Sequence, residues 1–74
     1  MMRVRLKTAT LARALARKNM SQNNFARRSG ISRSYLSQLI RGQRCPSART
    51  RRRILEELGE QGFDDLFEEV EDDE

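Results

Sequence analysis

Seventy-four residues form one domain at most, and folding at that size buries only about 60% of the surface the unfolded chain exposes, which leaves little room for a deep catalytic pocket. There is no histidine and only one cysteine, Cys45, which excludes a structural zinc site, an intrachain disulfide and a His-dependent nucleophilic triad. All fifteen basic residues lie between Arg3 and Arg53 and all eleven acids between Glu56 and Glu74, so the formal net charge of +4 conceals two halves of opposite sign.

The basic half, residues 1–55, carries no acid and prefers arginine strongly over lysine, a composition suited to a polyanion such as nucleic acid. Arginine-rich codon usage accounts for part of the arginine excess but not for the missing acids. No apolar run approaches the roughly 18 residues of a membrane span. Arg13 and Arg17 interrupt the stretch that would have to be the apolar core of a leader. A cytoplasmic, nucleoid-associated protein is therefore expected. Cys45, just before Pro46, reads as an incidental loop thiol, since no base is placed to activate it.

With one proline and four glycines as punctuation, and no strand-type alternation, the chain is expected to be all-α. A first helix is predicted from Thr8 to Lys18, with Leu11, Ala12, Leu15 and Ala16 on its apolar stripe, broken by Asn19 and Met20. Ser21 caps a second helix that turns Phe25 and Ala26 inward and ends at Ser29-Gly30. Ser32 caps a third, to about Arg41, whose Leu36, Leu39 and Ile40 lie opposite Ser34, Ser37, Gln38 and Arg41, with Arg33 at the exposed N-terminal edge. Gly42 stops it. Ser47 caps a fourth helix to about Leu58, with Ile54, Leu55 and Leu58 inward. After Gly59–Gly62 come Phe63, Leu66, Phe67 and Val70 at i, i+3, i+4 and i+7, which predicts an acidic amphipathic helix to about Glu71. The expected division is a basic helix-turn-helix domain over 1–62 and an acidic helix and tail over 63–74.

Two helices joined at Gly30, the second with a polar outer face, are what a helix-turn-helix requires. With Gln22 as position one, Ala26 falls at five, Gly30 at nine, Ile31 at ten, Leu36 at fifteen and Leu39 at eighteen. A small residue at Ala26 lets the helices approach, Gly30 permits the sharp turn, and Ile31, Leu36 and Leu39 pin the second helix to the core.

The stretch Ser21–Gly42 followed by Pro46-Ser47, above all Ile31-Ser-Arg-Ser-Tyr-Leu-Ser-Gln-Leu-Ile-Arg-Gly42, resembles the Cro/C1-type (Xre family) helix-turn-helix of phage repressors and small bacterial regulators. Phe63-Asp-Asp-Leu-Phe67 is similar to the segment that often follows that family's fourth helix. The resemblance covers about residues 8–67. It implies a compact five-helix, lambda-repressor-like domain, commonly dimeric, acting at operators. Two positions depart from the family pattern: Ile40 stands where glutamate is frequent, and Arg51 where an inward leucine is common.

Carried over by position, the resemblance puts Arg33, Ser34, Ser37 and Gln38 at the floor of the major groove, and Gln22 against a phosphate. An arginine can grip guanine O6 and N7 with two hydrogen bonds, and a glutamine can do the same for adenine N6 and N7. Tyr35, Arg41 and Arg44 flank that face and are the other expected phosphate contacts. Arg49 and the run Arg51-Arg52-Arg53 have two competing partners, phosphate and the acidic tail.

The leading reading is a sequence-specific double-stranded-DNA-binding regulator, a repressor that occupies a palindromic operator as a homodimer. The competing reading is a protein-interaction module, such as an antitoxin, whose acidic tail helix engages a partner protein. A basic enzyme ranks last, because the basic half holds no acid–base pair. No metal and no cofactor are expected.

Overall fold

The computed structural model describes residues 2–59 and 62–71. In chain order the elements are β1 (Met2–Leu6), α1 (Thr8–Arg17), α2 (Gln22–Ser29), α3 (Arg33–Ile40), α4 (Ala48–Leu58), α5 (Phe63–Leu66) and β2 (Phe67–Glu71). The helical layout follows the sequence closely. Ser21, Ser32 and Ser47 each accept a first-turn backbone N–H, from Asn24, Tyr35 and Thr50 at 3.0, 3.1 and 3.2 Å. Gly30 ends α2 in the left-handed region at φ +74°, so the Ile31 N–H reaches back to the Ala26 carbonyl at 2.9 Å and turns the chain into α3.

The all-α expectation is corrected at both ends of the chain. β1 and β2 pair antiparallel, with Met2 opposite Glu71, Arg5 opposite Glu68 and Leu6 opposite Phe67. The predicted helix over 63–71 is one short turn, α5, followed by extended backbone beginning at Phe67 (φ −132°, ψ 157°). A continued helix would stack Asp64 on Glu68 and Asp65 on Glu69, like charges at the destabilising i,i+4 spacing. The strand instead sets Glu68 across from Arg5, whose Nε and Nη2 both donate to Oε2 at 3.0 and 2.6 Å. Because strand side chains alternate, Val70 falls on the face opposite Phe67, so the apolar stripe stops at Phe67. The final residues, 72–74, lie outside those described.

One core joins all these elements. Phe25, Ala26, Leu39, Ile54, Leu58 and Leu66 are fully buried, and Leu6, Leu11, Leu15, Ile31, Leu36 and Phe67 nearly so. Ala14, not Ala12 or Ala16, completes the buried stripe of α1, since Leu11, Ala14 and Leu15 follow the i, i+3, i+4 pattern while the other two alanines face solvent. Ile40 is half-buried against the core. Phe63 remains 37% exposed. Among the described residues no helix is long and apolar enough to cross a membrane.

Candidate nucleic-acid interface

α3 owes its position to two faces. Leu36 and Leu39 are buried against α2 and the rest of the core, which turns the serines, Arg33 and Gln38 outward. Arg33 and Ser34 are exposed, and Ser37 and Gln38 half-exposed. Three of these four line one shallow polar groove: Arg33, Ser34 and Ser37, together with Gln22 and Asn23 from the start of α2. No acid borders it. Asn23 was not singled out from sequence. Its signal is its place in the first turn of α2, beside Gln22 and opposite the start of α3.

Gln38, Tyr35 and Arg44 form a second cluster beside the first. The Arg44 guanidinium lies 5.5 Å from the centroid of the half-buried Tyr35 ring. Its Nη1 donates to the Gln38 carbonyl oxygen at 3.5 Å. Behind the ring, Ser47 donates to Thr50 Oγ1 at 3.1 Å, and Thr50 donates to the Tyr35 hydroxyl oxygen at 3.4 Å. Arg41 stands apart from both clusters, in a groove it shares with Arg5, Lys7, Thr8 and Thr10 beside the sheet.

Two of the three arginines at 51–53 are tied to the fold, while Arg52 stays exposed. Arg51 Nη1 donates to the Pro46 carbonyl and Arg53 Nη1 to the Gly30 carbonyl, each at 2.9 Å. Arg51 thus satisfies the loop before α4, where the usual leucine would only pack, and Arg53 braces the turn between α2 and α3. Arg28 pairs with Glu57 at 2.9 Å. Together with Arg5–Glu68, this commits acids of the C-terminal half to basic partners on α2 and β1, away from the groove beside α3. Cys45 is a free, half-buried thiol.

An exposed basic and polar helix, locked by its apolar side onto a capped partner helix, can enter the DNA major groove, which admits one α-helix. A helix-turn-helix family model matches residues 11–66, most of the chain. Comparisons with curated proteins and with solved structures give no match.

Proposed function

The chain belongs to the Cro/C1-type (Xre) family of helix-turn-helix DNA-binding regulators, and from that membership we propose that it reads a specific operator with α3 and represses transcription as a two-fold dimer. The carrying observation is the polar groove in which Arg33, Ser34 and Ser37 of α3 meet Gln22 and Asn23 of α2. In this reading Arg33, Ser34, Ser37 and Gln38 face base edges, while Gln22 and Arg41 lie toward the phosphates. Repression follows from occupancy, because a dimer seated on a promoter excludes polymerase.

One chain carries one recognition helix, and two related by a two-fold axis would lie about 34 Å apart, one turn of DNA. The surface assigned to the second copy is the apolar groove between α4 and α5, lined by Ala48, Leu55 and Phe63. Arg51, Arg52 and Glu56 supply both signs of charge there, as a self-complementary contact requires. The competing reading, a module that grips a protein through an acidic tail helix, is disfavoured because the tail's apolar residues Leu66 and Phe67 are buried in the chain's own core. Regulation of this kind places the protein with the DNA, in the cytoplasm.

Selection of bound duplexes from a random pool tests the proposal. The expected product is a roughly palindromic motif with half-sites one turn apart. Enrichment of no motif, with capture of DNA of any sequence, would overturn it.

A further inference from the structure

The contacts of Gln38 bear on which base it reads. A free glutamine amide suits adenine because its carbonyl accepts from N6 while its amino group donates to N7. Here the Gln38 carbonyl oxygen already receives Nη1 of Arg44 at 3.5 Å. The guanidinium beside that oxygen brings positive charge to the spot where adenine would present an amino donor. What the pair shows outward is mainly donors, the Gln38 amino group and the remaining N–H groups of Arg44, against the one lone pair left on the Gln38 side-chain carbonyl oxygen. Guanine answers with two acceptors, O6 and N7.

The arginine has its own support. Its guanidinium lies 5.5 Å from the Tyr35 ring centroid, within reach of a cation–π attraction. The ring is half-buried against the hydrophobic core, which holds it independently of its hydroxyl. Resting on the reading that α3 enters the major groove, we propose that Gln38 and Arg44 act as one donor-rich reader that selects guanine over adenine, and that Tyr35 is the positioning residue that holds Arg44 in place. Arg44, expected from sequence to grip phosphate, then sets base preference through Gln38. The Tyr35 ring, not its hydroxyl, does the positioning.

The test is random-duplex selection with the wild-type chain and with Gln38→Ala, Arg44→Ala, Tyr35→Leu and Tyr35→Phe, each first checked for a cooperative thermal transition. Gln38→Ala identifies the base pair in question as the one whose preference it erases. The wild type is expected to carry guanine there. Arg44→Ala should shift the guanine-to-adenine ratio at that pair by roughly tenfold toward adenine, about the discrimination one good base contact provides. Tyr35→Leu should follow it, while Tyr35→Phe, which keeps the ring, should select the wild-type motif. The proposal is overturned if Arg44→Ala selects the same motif with affinity lowered evenly across sites, the mark of a phosphate contact. If the wild type enriches no motif, the operator reading falls first and this proposal with it.

Discussion

Arg33 is the residue on which base reading depends most in this account. It stands exposed at the first turn of α3, in one groove with Gln22 and Asn23. Arg33→Ala is expected to relax preference at one position per half-site, at a cost of about 1–3 kcal/mol for the cognate base. Competition among single-base variants of the selected operator reads this, and an even loss across all variants would reassign Arg33 to phosphate. A second residue-scale prediction concerns the turn. Gly30 has φ +74°, and a Cβ there would meet Arg53 Nη1 at 3.2 Å. Gly30→Ala should therefore lower stability by at least about 1–2 kcal/mol, the ordinary penalty of a left-handed backbone, in urea unfolding.

At the scale of elements, what the sequence makes legible is what is decided locally. Ser21, Ser32 and Ser47 cap helices because a hydroxyl and an N–H three residues on suffice to do it, and Gly30 turns because no Cβ resists. The sheet was illegible for the opposite reason. β1 and β2 find each other across nearly the whole chain, and each is only five residues long. Phe63, Leu66 and Phe67 fit a helix or a turn followed by a strand, and the strand is favoured by a residue far off in sequence, Arg5, waiting across from Glu68. The site was legible as a face, since helical geometry alone separates Ser34, Ser37 and Gln38 from Leu36 and Leu39. The link from Gln38 through Arg44 to Tyr35 was not, because it depends on the path of the loop after Gly42. Ser47→Ala is expected to lower stability by about 0.5–2 kcal/mol through loss of the α4 cap. Leu66→Ala, which empties a fully buried position, should cost about 2–5 kcal/mol, against little change for an exposed helix without core contacts. Chemical denaturation of both variants checks the order.

For the whole molecule, the division of charge becomes an arrangement in space. Glu57 and Glu68 are held by Arg28 and Arg5, so part of the acidic half is fastened to the basic half by ion pairs and by the burial of Leu66 and Phe67. A chain ending after Gly62 should accordingly lose its cooperative thermal transition, since it removes two fully buried side chains and the partner of β1. Replacing the exposed Phe63 by serine should spare the fold but move the free protein toward monomer in sedimentation, as the assignment of the α4–α5 groove to a second copy requires. The central claim, that α3 reads base edges from the major groove, is tested most directly by methylation interference on the selected operator. Methyl groups at guanine N7, which project into the major groove, are expected to block binding in two clusters about 34 Å apart along the duplex. Interference confined to adenine N3 in the minor groove, or none at either site, would contradict the account.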